Sequence, residues 1–415
     1  MVDKNLFLYD LAAVAILKDE GPYLKEWLDY HLAAGVDHFY LYDNESTDNQ
    51  ADVVKPYVAT GLVDYTFAPG KTMQIVAYND AVKRFKFQCR YMAFIDADEF
   101  IFPKSERSIT EVVDEILARY PKAAGLTINW HCFGSNGQDK ADYSKNVLER
   151  FTRRAPNDWA PDGLGNAHVK TVANPRAINF IFNPHCANFF IDRHAMDENA
   201  KLIPSAFNIP VTAEKIVINH YHTKSREEFA VKMKRGRADY AVNTYNDEEF
   251  VLHDRNEEFD DDILKYLEAR EKIYQQPDNF RAKEKVLNAL MKNLSPTLLP
   301  NAQKNFYEGK LETFLTCRAA ASYLKATLAD DTLAKFFEEA SLKAILKTIS
   351  STLSIADAQL LIRELPELLN LSYPAVKDLR GAGLQIIFQL KDFFHVNNMW
   401  KDFVELDYIS EILKE

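Results

Sequence analysis

Tyr91-Met92-Ala93-Phe94-Ile95-Asp96-Ala97-Asp98-Glu99-Phe100 is the stretch on which the fold turns. Its first five residues are apolar without alternation, so the strand they predict is covered on both faces, and such strands belong to parallel sheets clad in helices. Acidic residues arrive the moment the apolar run stops. Ligands of open α/β sheets bind beyond the carboxyl ends of the strands, which puts these carboxylates where a site is expected.

Toward the N-terminus the pattern alternates. Leu11–Leu17 is a second compact apolar run, and Tyr23–Ala34 then repeats apolar positions at helical spacing through Trp27, Leu28, His31 and Leu32. Asp37–Tyr42 predicts a strand that stops at the turn-rich Asp43-Asn44-Glu45-Ser46-Thr47-Asp48, followed by a helix over Gln50–Thr60, a strand over Leu62–Phe67 and a helix over Gln74–Phe85. Alternation of this kind predicts a doubly wound, mostly parallel α/β sheet. Toward the C-terminus, Leu126–Trp130, Val169–Val172, Ala177–Phe182 and Lys215–Asn219 are strand candidates separated by Pro and Gly. Helical periodicity dominates after Arg226, with Asp247–Asp262 as an acidic connector. The expected organisation is a catalytic α/β domain over residues 1–250 and an all-α domain over 251–415.

Composition narrows the class. The 415 residues are 47% hydrophobic, 27% charged and 12% aromatic, enough for buried cores in about two domains. A formal net charge of −11 argues against a nucleic-acid partner, which calls for a clustered cationic surface. Cys89, Cys132, Cys186 and Cys317 form no CxxC pair and read as reduced thiols. The apolar run near the start is too short for a signal-peptide core, and no window reaches the length of a membrane span. A cytoplasmic protein with at most peripheral membrane association is the expectation.

Three clusters carry chemistry. In an extended chain, side chains two apart share a face at roughly 6.6 Å, so Asp96 and Asp98 are expected to approach one divalent cation, Mn2+ or Mg2+, against a diphosphate. Asp43 and Asn44 follow a strand at the same rim, where short polar groups can bond a base or ribose; Ser46, Thr47 and Asp48 read as capping residues. In Asn219-His220-Tyr221-His222 the two imidazoles share a face if the segment is extended and can complete a metal's coordination. Lys224, Arg226, Lys232, Lys234, Arg235 and Arg237 then form a basic stretch able to grip phosphate.

At this point the chain resembles glycosyltransferase family 92 and related family 2-like enzymes of GT-A fold. The likeness rests, in order, on AILKDEGPYLKEWLDYHLAAGVDHFYLYDNESTD (15–48), FIDADEFIFP (94–103), WHCFGSNG (130–137), VKTVANPR (169–176) and INHYHTKSREEFAVKMKRG (218–236). The resemblance implies inverting transfer of a sugar, often galactose, from a UDP-sugar to a hydroxyl of a glycan or glycoconjugate. Asp96 and Asp98 match the DxD pair, Lys18, Glu20 and Asp43 the nucleotide pocket, His220 the His-Tyr motif, and Lys170 a residue facing donor or acceptor. His222 departs from the basic residue that commonly follows His-Tyr. A general base is required. Glu149, His131, Asp139, His185 and Asp162 are the candidates in the acceptor-side half, with Asp98, Glu149 and His131 taken as catalytic. Trp130, Phe133 and Trp159 are candidates for stacking on a sugar ring.

Two other functions share parts of this pattern. A sugar-phosphate nucleotidyltransferase also joins acidic metal ligands to a doubly wound sheet, but its first strand is typically followed by a Gly-rich basic loop, where this chain has Lys18-Asp19-Glu20-Gly21-Pro22. A non-catalytic glycan-binding or scaffold protein needs no metal ligands, and here Asp96, Asp98 and His220 are all present.

Overall fold

The computed structural model describes residues 9–274, apart from 87, 121, 191–192 and 239–244. The expected helical domain lies outside these residues except for its first part. The elements in chain order are β1 (Tyr9–Leu17), α1 (Gly21–Ala33), β2 (His38–Asp43), α2 (Gln50–Ala59), β3 (Val63–Phe67), α3 (Gln74–Phe85), β4 (Cys89–Phe94) and β5 (Glu99–Pro103). They continue with α4 (Ile109–Leu117), β6 (Ala123–Cys132), α5 (Val147–Arg150), β7 (Arg153–Arg154), β8 (Val169–Ala173), β9 (Ile178–Asn183) and β10 (Cys186–Phe189). Last come β11 (His194–Met196), β12 (Ile216–His220), α6 (Arg226–Arg235), α7 (Asp247–His253), β13 (Glu258–Phe259) and α8 (Asp262–Ile273).

The main sheet runs β3-β2-β1-β4-β8-β6-β12-β5, with β11 paired to β6. Strands β3, β2, β1 and β4 are mutually parallel, as the unbroken apolar runs predict. Beyond β4 the sheet is mixed: β8 runs antiparallel to both β4 and β6, β12 parallel to β6, and β5 antiparallel to β12. The fold is α/β, with a mostly parallel sheet.

Period-two alternation divides the core. Leu11, Ala13, Ala15 and Leu17 of β1 face one layer with Leu24, Trp27 and Leu28 of α1, whereas Ala12, Val14 and Ile16 face Ala77, Tyr78 and Ala81 of α3 on the other side. Helix α1 is tied to the sheet by polar contacts as well, because Trp27 Nε1 donates to Glu99 O at 2.9 Å and Tyr30 OH to Ile101 O at 2.9 Å. Helix α4, which the apolar patterning did not single out, starts at a capping box formed by Ser108 and Glu111.

The expected boundary at residue 250 falls inside α7. Past it, β13 pairs with β7, and α8 buries Ile263 and Tyr266 against the core beside Tyr30 and Phe102. Residues through 274 thus continue the α/β body. Cys89, Cys132 and Cys186 are buried free thiols. No helix among the described residues is long and apolar enough to cross a membrane.

Candidate functional site

The carboxyl ends of β1, β2, β4 and β12 meet at one edge of the sheet and open into a cavity of about 610 Å³. Its floor holds Asp96 and Asp98. The two are not arranged as an extended chain would place them: Glu99 N donates to Asp96 O at 3.1 Å, closing a turn between β4 and β5. The carboxylates consequently diverge to different partners.

Asp96 belongs to one wall. Lys170 Nζ lies 2.8 Å from its Oδ2, while Gln74 Nε2 at 2.7 Å and Tyr78 OH at 3.3 Å donate to Oδ1. Glu99 is fully buried behind it, 3.6 Å from Lys170 Nζ, and its Oε2 accepts the Asp96 backbone N–H at 2.9 Å. Burial pushes the Glu99 carboxyl up, while the Asp96 and Glu99 carboxylates overcome burial at Lys170 and hold its ammonium protonated.

Asp98 belongs to the other wall. Lys232 Nζ, from α6, lies 2.7 Å from Asp98 Oδ2, and His220 Nε2 lies 3.5 Å from Oδ1. Burial alone pushes this carboxyl up, yet Lys232 and His220 outweigh it and hold Asp98 well below the usual carboxylate range. Lys232 also approaches His222 Nδ1 and His222 O, both at 3.1 Å. An ammonium can only donate, so His222 Nδ1 carries the lone pair and Nε2 the proton, with Glu249 Oε1 3.3 Å away but outside hydrogen-bonding geometry. Burial keeps His220 and His222 neutral by lowering their pKa values.

Among the described residues, Asp98, His220 and His222 offer ligand atoms that all lie within 4.8 Å of one another, and His222, Glu249 and His253 form a second such group. Asp96, expected as a ligand beside Asp98, belongs to neither group because its carboxylate is drawn onto Lys170. Two neutral imidazoles and a carboxylate suit a divalent ion, and the Lys232 ammonium among them demonstrates that the donor set accepts a cation.

Lys18, Glu20 and Asn44 line the cavity, but their polar groups are partly engaged. Arg235 pairs with Glu20 Oε1 at 2.7 Å and donates to Lys18 O at 2.6 Å, and Asn44 Nδ2 bonds Ala68 O and Gly70 O, each at 2.8 Å. Of the basic stretch, Lys232, Lys234, Arg235 and Arg237 face the cavity; Lys224 lies over the Tyr23 ring and Arg226 pairs with Asp247.

Several expectations are corrected. Asp43 is not on the cavity wall: its Oδ1 accepts Ser46 N at 3.0 Å and Gln50 Nε2 at 3.3 Å, shaping the turn that leaves Asn44 at the rim. Lys170 supports Asp96 from behind and does not line the cavity. Glu149, taken as catalytic, closes a capping box with Asn146. His131 is buried, with neither ring nitrogen hydrogen-bonded, because alternation along β6 turns Trp130 toward the cavity and His131 away. Asp139 and Asp162 are also absent from the wall, which leaves His185 as the base candidate that lines it. Trp130 and Trp159 line it too, Trp159 lying against Gly165, whose φ of +58° and closeness to the indole exclude a side chain. Phe133 packs in the core on Tyr221.

Gln74, His168, Tyr245, Glu249 and His253 also line the site without having been singled out from the sequence. Only Glu249 and His253 carried a readable signal, an acidic residue and a histidine four apart on one helix face.

The model of glycosyltransferase family 92 matches residues 16–260. A glycosyltransferase family 92 protein of Ricinus communis is 26% identical over 255 residues, covering 60% of this chain and 41% of its own length. One from Oryza sativa subsp. japonica is 23% identical over 249 residues, covering 60% and 39%. This chain therefore spans about two fifths of those relatives. Galactan beta-1,4-galactosyltransferase GALS2 of Arabidopsis thaliana is 30% identical over 100 residues, covering 22% of this chain and 19% of its own. Among solved structures, S. aureus TarS 1-349 aligns over 83% of this chain and 90% of its own at 11% identity and a TM-score of 0.30. With more than half of its residues matched in register, the chain belongs to glycosyltransferase family 92.

Proposed function

We propose that the protein transfers a hexosyl group, galactose being the leading candidate, from a UDP-sugar to a hydroxyl of a glycan with inversion at the anomeric carbon. One observation carries the reading: Asp98, His220 and His222 converge in a cavity that Lys232, Lys234, Arg235 and Arg237 also line. An acidic and imidazole cation site in a cavity bordered by lysines and arginines suits a nucleoside diphosphate, whose charge must be matched by several positive groups. Family membership and the partial likeness to a galactosyltransferase support the sugar-transfer chemistry.

Asp98, His220 and His222 would hold Mn2+ or Mg2+, which supplies Lewis-acid stabilisation of the departing diphosphate. The chain's own groups do the rest. Lys234, Arg235 and Arg237 bind phosphate oxygens, and Lys18 and Asn44 border the nucleotide end. Trp159, only partly buried where it lines the cavity, offers an apolar surface for a sugar ring. As the acceptor oxygen attacks the anomeric carbon and the bond to the diphosphate breaks, the acceptor's proton goes to a base. We assign that role to His185, whose Nδ1–H donates to Val169 O at 3.0 Å and leaves a lone pair on Nε2. The all-α character expected for the segment beyond residue 274 adds a region of unassigned role to this reading.

The test is a panel of UDP-sugars incubated with the protein and Mn2+. Slow release of UDP from at least one sugar is expected, with Asp98→Asn lowering it about 10²–10³-fold while the circular-dichroism spectrum is kept. Absence of both UDP release and UDP binding across the panel overturns the proposal. Pyrophosphate release from a nucleoside triphosphate and a sugar phosphate would replace it with nucleotidyl transfer.

A further inference from the structure

Lys232 sits where a metal ion is expected. Its ammonium has three N–H donors and three acceptors around it: Asp98 Oδ2 at 2.7 Å, His222 Nδ1 at 3.1 Å and His222 O at 3.1 Å. Two of those atoms belong to the residues that form the compact ligand group with His220. Behind His222, Glu249 Oε1 lies 3.3 Å from Nε2, a carboxylate close to the imidazole but without a hydrogen bond to it. Tyr245 adds its ring 5.5 Å from the Lys232 nitrogen. The slot is thus fully built for one positive charge, and that charge is supplied by the chain itself.

A divalent ion and Lys232 cannot both use these lone pairs. Each needs Asp98 and His222 Nδ1, and side by side they repel. Lys232 stands on α6 less than one helical turn from Lys234 and Arg235 and lines the same cavity, so rotation about its flexible stem can turn the ammonium from the slot toward the cavity.

We propose that Lys232 is the resident counter-ion of this slot, that a divalent ion binds by displacing it, and that the displaced ammonium then pairs with the donor's diphosphate. The inference rests on the reading above that the slot takes a metal. It makes metal and donor cooperative through one side chain: the ion frees Lys232 for the diphosphate, and the diphosphate keeps Lys232 out of the slot. By linkage each must strengthen the other's binding by the same factor.

The experiment titrates the full chain with Mn2+, reading free Mn2+ by electron paramagnetic resonance, with and without UDP. The proteins are wild type, Lys232→Met, Lys232→Gln and the charge-keeping Lys232→Arg. Wild type and Lys232→Arg should bind Mn2+ weakly alone and more tightly with UDP. Lys232→Met and Lys232→Gln should bind Mn2+ alone at least about tenfold more tightly than wild type, as expected on removing a neighbouring like charge, and UDP should strengthen that binding less. Two neutral variants guard against one failing to fold. If both bind Mn2+ no better than wild type, Lys232 is not the competitor and the proposal falls, although the metal reading stands. If no protein binds Mn2+ in either condition, the metal reading fails and this inference with it.

Discussion

Two aspartates, one residue apart from adjacency, sit in two unlike walls. Asp96 meets a lysine borne on a central strand, with a fully buried glutamate behind and a glutamine and a tyrosine beside it. Asp98 meets a lysine borne on a peripheral helix and surrounded by imidazoles. Lys170 is shared by two carboxylates and held on β8 between β4 and β6, so no other cation can take its place without dismantling the sheet edge. Lys232 has one carboxylate, and its remaining partners, an imidazole nitrogen and a carbonyl, are ligands that metals also use. The first wall is a fixed clamp and the second is an exchangeable slot. The chain needs both, because a floor that does not move gives the exchangeable side a constant geometry to work against.

The sharpest way to break this comparison is to remove each lysine in turn. Lys170→Met leaves Glu99 buried beside Asp96 with no cation, and breaking such a buried pair costs about 3–5 kcal/mol. Lys232→Met leaves Asp98 with His220 still beside it and an opening to the cavity, so its loss in stability should be clearly smaller. Urea unfolding monitored by tryptophan fluorescence measures both. Adding Glu99→Gln to Lys170→Met should return part of the loss, since the orphaned charge is then gone. Equal losses for the two lysine variants would erase the distinction between clamp and slot.

Acid should separate the walls next. The slot side is rich in buried imidazoles, and burial lowers His168 and His253 to about 4 each, well under the ordinary 6.5. Unfolded, both take up a proton near 6.5 while the folded state resists, so stability falls as the pH drops from about 6.5 toward 4. Each contributes a loss of about 2 kcal/mol by pH 5 on that shift. Asp37, raised to about 6 by burial, works the other way over the same range, because the folded state holds its proton more tightly and gains stability as the pH falls. Two imidazoles outweigh one carboxyl, and the expected net result is a lower unfolding midpoint at pH 5 than at pH 7. Imidazole resonances of His168 and His253 that titrate near 6.5 in the folded protein would remove the basis for it.

The same two walls divide what the amino-acid sequence makes legible. Strands β1 to β4 were readable because each is a short apolar run ended by polar residues, and Asp96-Ala97-Asp98 stood out because it directly follows an unbroken apolar run. The turn at Asp96–Asp98 was not, since the chain enters β5 at Glu99 with no Gly, Pro or Asn to mark the bend. That hidden turn is why the paired carboxylates were expected on one cation and diverge. Lys170 and Lys232 stand 74 and 134 residues from their aspartates, and nothing local announces such a pairing. Glu149 and His131 had the right chemistry in the right half of the chain, but a capping box and the two-residue alternation of β6 turn them elsewhere. The basic stretch was legible in composition, while the choice of Lys232 and Arg235 over Arg226 depends on which face of α6 meets the cavity, and Lys224, which precedes the helix, lies over the Tyr23 ring.

The smallest expected effect concerns the end of that helix. Gly236 closes α6 at φ +83° and ψ −164°, a backbone conformation open to glycine and strained for any residue with a Cβ. Gly236→Ala should cost about 1–2 kcal/mol. The strain is relieved most cheaply by fraying the last turn of α6, which carries Lys232, Lys234 and Arg235. Because the slot depends on α6 and the clamp does not, the substitution should weaken the Lys232 contact with Asp98 while leaving Lys170 and Asp96 as they are. Amide hydrogen exchange reads this directly: protection should fall across 232–236 and stay unchanged across β8. Faster exchange in β8 as well would mean that the two walls move as one, and that the helix is as much a part of the fixed floor as the strand.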